Sequence, residues 1–238
     1  MSLIEHLREL RARLLRAVAA VLVVTLGLTP FANRIYAFAS APLQALLPPG
    51  SSMIATEVTS PFFAPFKLTL VAAVFIAIPV ILHQAWAFIA PGLYGHERRL
   101  ALPILFSSTL LFYLGVAFAY FVVLPLVFAF FTSVGPSGVQ VMTDINAYLD
   151  FILKLFFAFG LAFEIPIATL LLIRGRVISA DALAAKRPYV VIACFIAGML
   201  LTPPDIISQT MLALPMWLLF EAGILLGRWT GRARPTTP

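Results

Sequence analysis

Three carboxylates stand where carboxylates are out of keeping with their surroundings. Glu9 lies among Arg8, Arg11 and Arg13, and Glu97 directly precedes Arg98 and Arg99. Glu164 lies inside a long apolar run. A carboxylate takes a guanidinium through two parallel hydrogen bonds, whereas an ammonium makes a point-charge contact. Glu9 and Glu97 therefore suit a cationic ligand on a surface otherwise too basic to bind one. Simple local pairing competes with that reading. Glu9 and Arg13 have i,i+4 spacing, worth about 0.3–0.5 kcal/mol on a helix, and Glu97 has arginine neighbours; spacing alone favours pairing.

Glu164 is the sharpest single residue. A charge at mid-membrane depth costs at least about 2.5–3.5 kcal/mol, so such a group faces protein or water. Pro166, two residues on, leaves the backbone carbonyl of Ala162 without its helical donor. Glu164 then reads in three ways: a protonated group hydrogen-bonded inside a bundle, a polar spot on a concave face that receives a partner or substrate segment, or a proton relay. The relay needs a second intramembrane carboxylate. Glu221 is one candidate, but near Arg228 it reads as an interfacial residue. Met199, Thr202, Asp205 and Gln209 form a further polar group around a short hairpin. Asp205 has the right position to cap the following helix, and docking of another membrane helix is the alternative.

Catalytic constellations are missing from the sequence. There is no P-loop. His96-Glu97 begins like HExxH, but Leu100 stands where the second histidine belongs. His6, His83 and His96 have no metal-ligand spacing, and no histidine follows position 96 to serve a serine. The sequence predicts no enzyme, no cofactor and no metal.

These residues are carried by a chain of 238 residues, 62% hydrophobic and 11% charged. Soluble domains carry about 25% charged residues. The composition predicts an all-α membrane protein, a single polytopic domain over residues 1–238. The net charge of +6 comes from short basic clusters between apolar runs, which reads as topology signalling and not as a nucleic-acid face. The single cysteine, Cys194, lies in an apolar run and forms no intrachain disulfide.

Ser2 to Arg16 predicts an amphipathic helix with Ser2 and Glu5 at capping-box spacing. It runs into a first span at about 15–31. That start imitates a cleavable signal peptide, but Glu5 and Glu9 are unusual in one, and removal leaves an odd number of spans. Further spans are expected at about 66–89, 102–126, 150–173, 189–201 and 207–226. Ala32–Pro65 and Val127–Leu149 are expected to form extracytoplasmic connections, the first an ordered cap with short helices. Phe88–Arg99 is expected to be a short polar loop bent at Pro91-Gly92, and Arg174–Pro188 another. Thirteen of the 16 lysines and arginines fall in the N-terminus, these two loops and the C-terminus. By the positive-inside rule both termini are cytoplasmic and the spans number six. The last two spans are expected to be short, so that the bilayer is thinned beside them or a partner covers them. Gly223-xxx-Gly227 permits close helix packing.

Several motifs in fixed order resemble the TatC family, the multispanning receptor subunit of the twin-arginine protein translocase. They are HLRELRARL (His6–Leu14), SAPL (Ser40–Leu43), MIATEVTSPFF (Met53–Phe63), WAFIAPGLYGHERR (Trp86–Arg99), FEIPIA (Phe163–Ala168), KRPYV (Lys186–Val190) and GMLLTPPDIISQ (Gly198–Gln209). The resemblance implies recognition of folded cargo by a signal bearing two adjacent arginines. It places Glu9, Arg11, Phe88 and Glu97 at the signal-peptide site, and Glu164 in a concave transmembrane face. It places Met199, Thr202 and Gln209 at the contact with TatA- and TatB-like single-span partners. Pro42, Phe62 and Asp205 match extracytoplasmic positions linked to activity and assembly. It also implies a multi-pass location in the bacterial inner membrane, surrounded by lipid, with self-association and use of the proton motive force. The alternative from the residues alone is a proton-coupled small-solute transporter using Glu164, which calls for inverted repeats; no convincing repeat is present.

Overall fold

The computed structural model describes residues 3–46, 54–93, 101–134, 144–175, 177–201 and 206–231. Its elements are α-helical: α1 (Leu3–Leu28), α2 (Ala32–Leu46), α3 (Ser60–Leu93), α4 (Ala101–Phe118), α5 (Leu124–Val134), α6 (Ile145–Ala162), α7 (Ile165–Arg174), α8 (Ala180–Ala185), α9 (Arg187–Leu201) and α10 (Ile206–Gly231). They group into two compact units, residues 1–109 with 134–153 and residues 110–133 with 154–238. Among the described residues, five stretches suffice by length and composition to cross a membrane: Ile4–Ala41, Ser60–Phe88, Leu102–Phe131, Ile145–Arg174 and Ile206–Trp229.

In the first unit, α1 and α2 both pack along α3. Pro30 has no N–H to continue an α-helix, and a 3-10 turn, Thr29–Phe31, joins α1 to α2 there. Thr25 and Thr29 turn their hydroxyls onto the carbonyls of Val21 and Thr25, each at 2.8 Å, which satisfies them inside an apolar helix. The buried Tyr148 donates its hydroxyl to the Ala39 carbonyl at 2.9 Å. Trp86 Nε1 donates to Ser108 Oγ at 3.0 Å and ties the end of α3 to α4.

The segment before α3 is strapped to the start of α6. Ile54 and Asp144 form an isolated parallel bridge. Asp144 accepts from the Ala147 N–H at 3.0 Å and from Thr56 Oγ1 and N–H at 2.8 and 3.0 Å. Asn146 donates to Ser60 Oγ at 2.6 Å, and Lys67 pairs with Asp150. The Ala147 hydrogen bond, then those from Thr56, hold the Asp144 carboxyl down at about 2 against an ordinary 3.8. A depressed carboxyl contributes its stabilisation above the ordinary value and loses it as pH falls towards the depressed one. Hydrogen exchange at residues 54–60 should therefore rise as pH drops from about 4 to about 2, after correction for intrinsic exchange. Asp144→Asn should flatten that dependence; an unchanged profile in the variant would show that Asp144 does not hold the strap.

In the second unit, proline chemistry shapes two helices. Pro125 offers no N–H to the Phe121 carbonyl and its ring crowds that oxygen. The backbone widens into a π turn, Ala119–Val123, where the Leu124 N–H reaches back to the Ala119 carbonyl. Pro166 likewise withholds an N–H from Ala162, and the chain breaks between α6 and α7 at Phe163–Glu164. Glu164 accordingly stands at the N-cap of α7 (φ −78°, ψ −18°), and its side chain does not cap the helix.

Packing in this unit uses glycines where backbones meet. A Cβ on Gly115 would strike the Phe159 carbonyl, and one on Gly160 would lie 2.6 Å from the Phe112 ring. Gly223 and Gly227 set α10 against α7, where a Cβ would collide with Thr169 Oγ1 and Ile173 Cδ1 respectively. Leu183, Phe220 and Ile224 form a buried cluster between α8 and α10. Arg187 grips Glu221 through two hydrogen bonds of 2.5 and 2.6 Å, and Arg228 binds Asp181 at 2.8 Å.

Several expectations are corrected. The Pro91-Gly92 bend is instead the last turn of α3, which continues to Leu93; Pro91 withholds one N–H, from the Ala87 carbonyl, and does not end the helix. Residues 127–134 are helical and belong to α5, and α6 already begins at Ile145, because the apolar pattern outruns the window chosen for a span. The polar stretch after Arg174 contains α8, whose N-cap Ser179 accepts from the Ala182 N–H at 3.1 Å. Of the last two helices only α9 is short. Its 15 residues cover about 22 Å, against a hydrocarbon core of about 30 Å, while α10 has 26 residues.

Candidate functional site

The first unit brings part of the sequence-predicted docking site together. Phe88, near the end of α3, stacks on His6 in the first turns of α1, with ring centroids 4.4 Å apart and planes 25° from parallel. His6 and Glu9 are three residues apart and share a helix face. The stack therefore sets the apolar wall of Phe88 beside the turn that carries Glu9.

Glu9 already has a local partner. Arg13 donates from Nε at 2.9 Å and from Nη2 at 2.5 Å, both to Oε1. The two side chains are 23% and 19% exposed, so the pair is only partly solvated. Helical spacing thus delivers the bland pairing, and it engages one carboxylate oxygen. Arg11 points elsewhere on the same helix and is exposed. Glu97 lies outside the described residues, four positions beyond the end of α3.

The second unit holds Glu164, Met199 and Gln209, and the first unit also holds Phe62 and Pro42. Glu164 is half-buried at the α6–α7 break, with the rings of Phe118, Phe159 and Phe163 clustered there at centroid distances of 5.6 Å from Phe118. It stands at the break that Pro166 makes between α6 and α7. Met199 is 49% exposed on α9. Gln209 faces Gly198, where a Cβ would stand 3.3 Å from the Gln209 carbonyl oxygen, so the α9–α10 hairpin closes tightly at that level. Thr202 and Asp205 lie outside the described residues. Phe62 is 74% exposed near the start of α3, edge-on to Phe63 at 5.2 Å. Pro42 lies in α2. Glu221 is the partner of Arg187.

Two neighbours of the site escape sequence reasoning. His6 reads there only as an isolated histidine, because stacking on a ring 82 positions away leaves no local signal. Gln84 is a polar residue one turn before Phe88 in an apolar helix, and that spacing is the signal it left. Among the described residues, no group of histidine, cysteine and carboxylates is arranged to hold a metal.

Comparison with known proteins agrees over most of the chain. A family model described as Sec-independent protein translocase protein (TatC) matches residues 5–215. The Sec-independent protein translocase protein TatC of Azotobacter chroococcum mcd 1 is 62% identical over 227 residues, covering 95% of this chain and 89% of that protein. Its counterpart in Escherichia coli strain K12 is 56% identical over 233 residues, covering 98% and 90%. A crystal structure described as the twin arginine translocase receptor TatC superimposes with a TM-score of 0.86 at 39% identity, covering 95% of this chain and all of that one. This decides for protein translocation over the small-solute reading of Glu164. The chain belongs to the TatC family of Sec-independent protein translocase proteins, and is a multi-pass transport protein of the bacterial inner membrane, not an enzyme.

Proposed function

We propose that this chain is the receptor for cargo signals bearing two adjacent arginines. Glu9 and Glu97 take the guanidinium groups, Phe88 walls the site, and Arg11 belongs to the same N-terminal motif. The single observation that carries this is the His6–Phe88 stack. It joins the α3 end that leads to Glu97 with the α1 turn that presents Glu9. The related receptor named for twin-arginine translocation supports the same reading.

Energetics assign a role to the rest of the signal. Two charge-assisted hydrogen-bonded contacts supply about 3–6 kcal/mol, while micromolar binding needs about 8 kcal/mol. The apolar segment of the signal provides the difference, with Glu164 as a polar spot for the cargo segment. Met199, Thr202 and Gln209 contact TatA- and TatB-like single-span subunits; the exposure of Met199 on the short α9 supports this. Pro42, Phe62 and Asp205 serve activity and assembly on the far side. The chain spans the membrane six times with both termini cytoplasmic, and associates with further copies of itself.

One experiment tests site and orientation together. A photoreactive residue at position 88 should crosslink a twin-arginine precursor added from outside to inverted membrane vesicles, whose outer surface is the cytoplasmic one. An equal yield with a precursor lacking the arginine pair would refute the site. Crosslinking only in right-side-out vesicles would refute the topology.

A further inference from the structure

Gln84 lies in α3 one helical turn before Phe88 and is half-buried. Its side-chain oxygen is shut off from solvent and has no hydrogen-bond partner among the described residues, while its nitrogen lies 3.3 Å from His83 Nδ1. A buried amide oxygen without a donor is uncommon, because its desolvation goes uncompensated. Its location is informative. Gln84 and Phe88 share a helix face by i,i+4 spacing. Phe88 stacks on His6, so the end of α3 meets the start of α1, and because the two helices pack along each other they run antiparallel. One turn back along α3 from Phe88 therefore matches one turn forward along α1 from His6, which is the turn of Glu9.

We infer that Gln84 is a specificity-determining residue of the docking site, its carboxamide turning out of its buried position when the signal docks so that the oxygen accepts an N–H from an arginine of the cargo signal. The inference rests on the receptor reading above. A guanidinium carries five N–H groups in a plane, and one carboxylate takes two of them. The others need acceptors once water is excluded. Glu9 Oε1 is already engaged by Arg13, so an additional acceptor at the same level has a clear use. A neutral oxygen adds directional bonding without adding charge. It rewards the planar arginine fork and gives the point charge of lysine little.

The test measures binding of synthetic twin-arginine and twin-lysine signal peptides to the full chain in lipid nanodiscs, by fluorescence anisotropy. Gln84→Leu keeps the volume and removes the acceptor. It should weaken the twin-arginine peptide ~10-fold and the twin-lysine peptide by less than ~3-fold. Gln84→Glu keeps an acceptor and adds charge, so it should retain the twin-arginine peptide and strengthen the twin-lysine one. Equal losses for the two peptides, an unchanged twin-arginine affinity in Gln84→Leu, or equal loss in both variants overturns the inference. Glu97→Ala, measured alongside, separates the two levels. If it has no effect, the receptor reading fails; if it weakens binding while Gln84→Leu does not, only the role of Gln84 fails.

Discussion

Replacing Glu97 with alanine should weaken binding of a twin-arginine signal by about 10- to 100-fold, and of a twin-lysine signal by clearly less. A hydrogen bond to a charged group contributes about 1.5–3 kcal/mol, and each 1.4 kcal/mol is a factor of about ten. The difference between the two signals comes from geometry. Arginine meets a carboxylate with two parallel N–H groups, and lysine meets it with one. Glu9→Ala should cost less than Glu97→Ala. Arg13 already holds Glu9 Oε1, so an incoming arginine shares that carboxylate or displaces a neighbour. Equilibrium binding of both peptides to the purified chain in nanodiscs measures this. Identical losses for the two signals would remove Glu97 from arginine recognition.

Gly223→Val should produce a large loss of stability in the second unit. A Cβ at this position runs into Thr169 Oγ1 and stands 3.0 Å from Pro166 Cα. The first obstacle is a side chain, but the second is backbone held rigid by a proline ring. Overpacking costs about 1–3 kcal/mol where neighbours yield, and more where they do not. The seam between α10 and α7 cannot open without also disturbing Gly227 against Ile173. Thermal unfolding in detergent should show a clear fall in midpoint for Gly223→Val. Gly27→Ala is the control, because nothing lies within 4 Å of a Cβ there and alanine favours a helix by up to about 1 kcal/mol. A midpoint for Gly223→Val equal to that of the unaltered chain would show that α10 and α7 are not locked by this contact.

The two predictions differ in how much the sequence alone supports them. Glu97 was singled out by a carboxylate beside two arginines in an apolar chain. Gly223 and Gly227 were visible only as a spacing that permits close packing. The structure identifies the partner surface as α7 of the same chain, with Thr169, Pro166 and Ile173 filling the space a side chain would need. A glycine spacing describes one helix, and the facing helix is set by the path of the chain.

Proline effects were legible wherever they act locally. Pro166 predicted a freed carbonyl near Ala162, and the helix breaks there. Pro125 lies near the end of the span expected at 102–126, but the helix absorbs it in a π turn and continues to Val134. The local chemistry was the same, and apolar surroundings favoured keeping the backbone hydrogen-bonded. Pro91-Gly92 shows the same override, since α3 carries through it to Leu93. The ion pairs divide in the same manner. Glu9 with Arg13 follows from a four-residue spacing. Arg187 with Glu221 joins residues 34 positions apart and appears only when α9 and α10 are laid together.

By itself the sequence determined that this is a helical membrane protein, roughly where its helices lie, which ends are basic, and which few carboxylates merit attention. Those properties follow from composition and from periodicities of three to four residues, which any single helix displays. Its motifs also fixed the family. The tertiary structure alone decided that Phe88 meets His6 beside the turn of Glu9, that Asp144 straps residues 54–60, and that the Gln84 oxygen is buried with no donor among the described residues. Each of these joins residues brought together by the packing of different helices, or depends on how fully that packing excludes water. Neither property is encoded in the pattern of one segment.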